Sequence, residues 1–432
     1  MFAYYLQLAL LSLKRHKGLT VLMVLATAMG IAACMTTFTV YRLMAADPMP
    51  GKSDRLFRVQ VDARTFPAQG VEEPPEELTR RDAKLLLQSA KALRQSVSGG
   101  LALYVIRPEA PERPLPHAGR FVSADFLPMF DVKIRHGQAW TAAQEASREP
   151  VILLSETLAR TLFGQPADAV GQMVQAGRMS MRVLGVYEDW KKVPAFYDLS
   201  IGSVHEPVAF LVPPDLALDQ KMGFMGSLSC WDRTNDPLAE DAQCAYLQFW
   251  VEFAKPQDAQ SYRQFLADFS AEQKRTGRYL RDPNVRLREL RDWLSYKQVV
   301  PQDVTLQSWM GLGFLLVCLV NTVGLMLAKC LRRSSEIGIR RALGASRRQV
   351  FLQFLVEAGL LGSLGGLLGM GLTALGLWGI SQGGFQHAGA VHIDGVMLAS
   401  TLAVAVAAAL LAGILPAWRA CSVVPALQLK SQ

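Results

Sequence analysis

The sequence predicts an α-helical membrane protein with four transmembrane helices, arranged one plus three, and a large α+β extracytoplasmic domain of at least two lobes between helices 1 and 2. Three observations carry this reading. Half of the 432 residues are apolar, and they gather into four segments, each long enough to cross a hydrocarbon core of roughly 30 Å. Residues 42–305, between the first two segments, instead mix short β-like runs with helical stretches. Charge follows the same division: that block holds 33 Lys+Arg against 34 Asp+Glu, and the remainder holds 12 basic residues and three acidic ones, Glu336, Glu357 and Asp394. The formal charge of +8 therefore belongs to the apolar part and its flanks, and a nucleic-acid partner loses its main support.

Residues 1–18 read as an N-terminal cytoplasmic segment. Tyr4, Tyr5, Leu8, Leu11 and Leu13 stand among few charges, and Lys14, Arg15 and Lys17 close the stretch. This suits an amphipathic helix lying in the inner membrane interface. It equally suits an extension of the first span, residues 19–41. Small residues before Cys34 give that span a loose likeness to a lipoprotein signal. The apolar run continues through Met35, Phe38 and Val40, however, which makes it a full span.

Within residues 42–305, RLFRVQVDA, ALYVIR, PVILL and SMRVLGVYED are rich in Val, Leu and Ile and read as strands. SETLARTLFG reads as a helix with Ser155 as N-cap and Gly164 as its stop. VEEPPEEL and RPEAPERPLP read as loops, because proline fixes φ and removes a ladder donor. Cys230 and Cys244 are the two cysteines of this block; Cys34, Cys318, Cys330 and Cys421 lie in or beside the spans. An external pair can oxidise where cytosolic thiols stay reduced, so a Cys230–Cys244 disulfide is expected. No GxSxG, HExxH or CxxC occurs, and His117, His136 and His205 stand singly, so neither catalytic nor metal-ligating sets are expected. Gly51, Lys52 and Ser53 imitate the end of a phosphate-binding loop, but Ala46 occupies the place of its first glycine.

The remaining spans fall at 306–328, 350–380 and 396–418. Seven basic residues (Lys329, Arg332, Arg333, Arg340, Arg341, Arg347 and Arg348) crowd the 329–349 loop, whereas the 381–395 loop has no Lys or Arg. The bias places the basic loop and both termini, including the 419–432 tail, in the cytosol. His387 and His392 of the outer loop lack further ligands at useful spacing and make a poor metal site. In the basic loop, SSEIGIRRALG predicts a short helix capped by Ser335 and ended near Gly344, and Ser346 with Gln349 predicts a capping box opening the third span. A rigid helix tied by tight turns to two spans would pass a push directly into both. Ala358, Gly362 and Gly366, and again Gly365 and Gly369, have the spacing that lets helices approach closely, whether within the chain or between copies. Glu357 is a rare intramembrane acid, and Asn321 on the antiparallel second span lies at matching depth, so a hydrogen bond between them is expected.

RRSSEIGIRRALGAS and FLVEAGLLGSLGGLLGMGL resemble the cytoplasmic signature and third span of FtsX-like ABC transporter permeases. FVSADFLPMFDVKIRHGQAW and EPVILLSETLARTLFGQPADAVGQMV resemble the periplasmic core domain of the MacB type. The likeness fades between about Lys191 and Arg291. It implies a non-enzymatic permease in the bacterial inner membrane, whose ATP and Mg are bound by a separate ABC ATPase. The short stretch before the first span is also read as placing that ATPase on another polypeptide. The likeness further implies that Glu336, Ile337, Gly338, Arg340, Arg341, Leu343, Gly344 and Ala345 form a coupling helix seated on the ATPase. The partners it implies are a second permease copy or paralogue, a periplasmic adaptor or outer-membrane component, and membrane lipid. Movement of the periplasmic domain would serve export or extrusion; the alternatives are mechanical control of a cell-wall hydrolase and ligand sensing.

Overall fold

The computed structural model describes residues 2–15, 17–67, 72–108, 116–199, 207–382 and 395–421. The chain divides into two compact units, Met1–Ala45 with Val300–Gln432, and Ala46–Val299.

In the Ala46–Val299 unit the strands link into one sheet. Its main path runs Val285–Glu289, Leu56–Val61, Cys244–Glu252, Arg94–Leu103, His117–Val122, Phe210–Val212, Val151–Ser155, Met179–Tyr187, Met173–Ala176 and Val105–Ile106. Most pairings are antiparallel; Phe210–Val212 with His117–Val122 and Val151–Ser155 with Met179–Tyr187 are parallel. Side chains alternate along a strand, so Phe249 and Val251 enter one apolar cluster and Trp250 the other. Ile152 with Leu154, against Val151 with Leu153, divide in the same way. Where the sequence suggested at least two lobes, the structure shows a single linked sheet with an apolar cluster on each face.

Local chemistry accounts for the ends of these elements. Ser155 Oγ accepts from the Leu158 N–H at the start of helix Glu156–Phe163, and Gly164 closes that helix at φ +79°. Cys230 and Cys244 face each other across an antiparallel pair, with Cα atoms 4.1 Å apart, and are joined by a disulfide. Lys52 does not line a phosphate loop. Its ammonium donates to the Pro128 carbonyl at 3.0 Å and to Asp131 at 2.8 Å.

The other unit holds the long helices. Among the described residues, four are long and apolar enough to cross a membrane, one before and three after the sheet-bearing unit. The first span is Lys17–Met44, the second Gln302–Arg332, the third Arg347–Gln382 and the fourth Gly395–Cys421. Each runs past the apolar stretch read from sequence, because helical hydrogen bonding does not stop where hydrocarbon does. His387 and His392 lie outside the described residues. An N-terminal helix, Phe2–Arg15, precedes the first span and packs mainly on the third. Thr20 Oγ1 donates to the Leu13 carbonyl at 3.2 Å. Seven residues of one continuous helix would separate those positions by about 10 Å, so the N-terminal helix and first span are not a single rod.

Candidate coupling site

The cytoplasmic loop forms a helix at Ser334–Ala342, with Arg333 at its N-terminal boundary where the sequence pointed to Ser335. Its C-terminus is a paired cap. The Gly344 N–H donates to the Arg341 carbonyl at 3.2 Å, and the Ala345 N–H donates to the Arg340 carbonyl at 3.1 Å. That arrangement needs a left-handed residue, and Gly344 supplies it at φ +100°. Two residues later the chain starts the third span. The Gln349 N–H donates to Ser346 Oγ at 3.3 Å, and the Ser346 N–H donates to Gln349 Oε1 at 2.9 Å, completing the capping box.

The loop helix has an anchored side and an open side. Ile337 is buried in a cluster with Cys330, Val350, Phe354 and Ala417, and Gly338 is buried beside it. Arg340 Nη1 donates to Gln353 Oε1 of the third span at 3.2 Å. Glu336 accepts from Arg340 at 3.0 Å and from Arg333 at 3.3 Å, and Arg15 stands 3.8 Å away. Partial burial pushes the Glu336 carboxyl up, but the hydrogen bond from Arg333 and the charges of Arg333, Arg340 and Arg15 outweigh it and hold the group below its ordinary range. On the open side, Ile339 is 53% exposed and Leu343 is 84% exposed. Arg341 and Ala345 are half-buried. Two aliphatic side chains thus stand bare on a helix whose other side is fixed to the bundle.

Inside the bundle, Glu357 does not meet Asn321. One of its oxygens accepts from Ser12 Oγ of the N-terminal helix at 2.9 Å and pairs with the Lys329 ammonium of the second span. Asn321 is exposed, because the inward stripe of the second span runs through Leu315, Cys318, Thr322, Met326 and Lys329. Depth as well as rotation differs from the expectation: Glu357 lies level with Lys329, whereas Thr322, beside Asn321, meets Thr27, which packs against Gly365 of the third span. Ser12, Lys329 and Arg333 escaped sequence reasoning because the two basic residues look like ordinary topology charges. The available signal was Ser12, a hydroxyl on the stripe Ala9, Ser12, Leu13 that turns inward.

The glycines of the third span serve two neighbours. A Cβ on Gly362 would collide with Ala409 of the fourth span, and one on Gly366 would lie 2.7 Å from Ala405 of the same helix. Cβ atoms on Gly365 and Gly369 would lie 3.1 Å from Thr27 and Ile31 of the first span. Both sets of small residues therefore serve packing within the chain. Among the described residues no group of three or more His, Cys, Asp or Glu side chains is placed to hold a metal ion.

Residues 20–264 match the family described as MacB-like periplasmic core domain, and residues 309–425 match the FtsX-like permease C-terminal family. A macrolide export ATP-binding/permease protein MacB of Salmonella choleraesuis (strain SC-B67) is 28% identical over 265 residues, covering 58% of this chain and 34% of the relative. A protein of the same name from Bordetella avium (strain 197N) is 26% identical over 246 residues, covering 55% of this chain and 32% of the relative. The chain thus spans about a third of the length of the curated relatives it matches. Among solved structures, the periplasmic region of MacB from Actinobacillus actinomycetemcomitans aligns with a TM-score of 0.37 at 10% identity, over 59% of this chain and 97% of that one.

Proposed function

This chain belongs to the FtsX-like permeases that carry a MacB-like periplasmic core domain, and from that premise we propose that it is the membrane subunit through which a separate ABC ATPase does mechanical work. The observation that carries the reading is the two-sided loop helix. Ile337 and the Arg340–Gln353 bond fix one side to the third span, while Ile339 and Leu343 stand open. A partner seated on the open side would push the helix as a rigid piece, since its end is locked by the Gly344 cap and the next span starts at once. ATP and Mg belong to that partner, and this chain supplies no catalytic group.

The stroke would displace the periplasmic core domain and drive export or extrusion of a substrate from the periplasm or inner membrane. Two permease copies, or one copy and a paralogue, would flank a pair of ATPases. The names of the Salmonella and Bordetella relatives, macrolide exporters, support an export role. A photo-reactive amino acid at Leu343 tests the docking face in native membranes. The expected adduct, identified by mass spectrometry, is an ATPase bearing a Walker motif. Adducts to lipid or to other proteins only would refute the docking face.

A further inference from the structure

We propose that Ser12 is a positioning residue that makes the N-terminal helix part of the coupling machinery. It does so by locking that helix to the loop helix and to the buried ion pair of the second and third spans; the functional part of this proposal rests on the coupling reading above. Three elements meet at one hydroxyl. Ser12 Oγ donates its single proton to Glu357 Oε1 at 2.9 Å and accepts from Arg333 Nη1 at 2.7 Å. Arg333 is the residue where the second span ends and the loop helix begins, and it also binds Glu336, one turn into that helix. Glu357 in turn pairs with Lys329. The chain of contacts Glu336, Arg333, Ser12, Glu357, Lys329 thus runs without a break from the docking helix into the apolar bundle.

Its setting argues that the link is fixed in one geometry. Ser12 is 3% exposed, Glu357 1% and Lys329 3%. In so buried a setting each broken bond would leave a polar or charged group unpaired, and Ser12 and Lys329 both bind the same Glu357 oxygen, which ties the hydroxyl to the ion pair. Among the described residues, the other ionic tie from the N-terminal helix to the loop helix, Arg15 to Glu336 at 3.8 Å, joins two solvent-accessible side chains and is screened by water. The inward stripe of the N-terminal helix is Ala9, Ser12 and Leu13, while Tyr4, Leu10 and Leu11 point outward. Ser12 is the polar group on that stripe, and the single hydroxyl satisfies a donor from the loop helix and an acceptor from the third span together. Movement of Arg333 with the loop helix must therefore carry the N-terminal helix along or break this hydroxyl bridge.

Electron spin resonance distances on the full chain in lipid nanodiscs test the lock. Labels are placed on cysteines at Tyr4 and Ile339, with Cys34, Cys318, Cys330 and Cys421 replaced by alanine. A single narrow distance is expected for the parent. Ser12→Ala should at least double the width of the distribution, and Ser12→Thr, which keeps the hydroxyl, should restore the parent width. An unchanged width in Ser12→Ala overturns the proposal, as does equal broadening by Ser12→Thr. The measurement uses no nucleotide and no ATPase, so its outcome is separate from that of the Leu343 adduct.

Discussion

Gly344 shows most clearly what one residue contributes. A Cβ there would meet nothing within 4 Å, so the case for glycine rests on φ +100° alone. Gly344→Val should cost about 1–3 kcal/mol of local backbone strain and fray the end of the loop helix without disturbing the core. The expected outcome is ATP hydrolysis no longer matched to transport, measured as the ratio of the two rates, and an unchanged ratio would contradict the role given to Gly344. Glu77 makes a second prediction. Burial pushes its carboxyl from 4.5 up to about 7, with Glu76 adding to the effect and Arg58 opposing it. The folded chain then holds a proton that the unfolded chain has already released, so stability falls as pH rises from about 4.5 to about 7 and levels off above. The full window is worth on the order of 3 kcal/mol. Glu145 is pushed the same way, also to about 7. Unfolding midpoints at pH 5.5 and pH 8 should differ in the parent, less in Glu77→Gln, and least when Glu145→Gln is added; a Glu77→Gln slope equal to the parent's would contradict the assignment.

Elements are where the sequence spoke most clearly and also where it stopped. The spans, the Ser155 and Gly164 caps, the Ser346 and Gln349 box and the turn at Gly344 all rest on local signals, namely hydropathy and capping chemistry, and all were readable. The sheet order was not, because Phe57 pairs with Val251 on one side and with Glu289 on the other, and nothing local encodes partners so distant. Glu357 fell between the two cases. Its burial in the bundle was readable, but its partner depended on how the second and third spans are staggered and rotated and on the reach of the Lys329 stem, which carries an ammonium inward from the end of the span. The spacing of the third-span glycines left their neighbour undecided, and the structure assigns one pair to the fourth span and one to the first. Gly362→Leu should therefore overpack the bundle and cost about 1–3 kcal/mol. Gly371→Leu, at an exposed position with nothing within 4 Å of a Cβ, should be near neutral. Unfolding midpoints of the two variants in one detergent check this, and equal losses would contradict the packing assigned to Gly362.

On the proposed function, the whole molecule is a permease that would receive work on a small cytoplasmic helix and return it through its periplasmic domain. Its own residues supply stiffness: a locked helix end, an ion pair in the bundle, and close helix contacts at glycine. The claim that matters most is that an ATPase sits on the open side of the loop helix. Affinity purification from native membranes in mild detergent, comparing the parent with the double variant Ile339→Asp, Leu343→Asp, tests it most directly. A Walker-motif ATPase should accompany the parent and be lost from the variant, while both chains remain folded. A stable parent complex that repeatedly lacks any ATPase, or an ATPase retained equally by the variant, would contradict it.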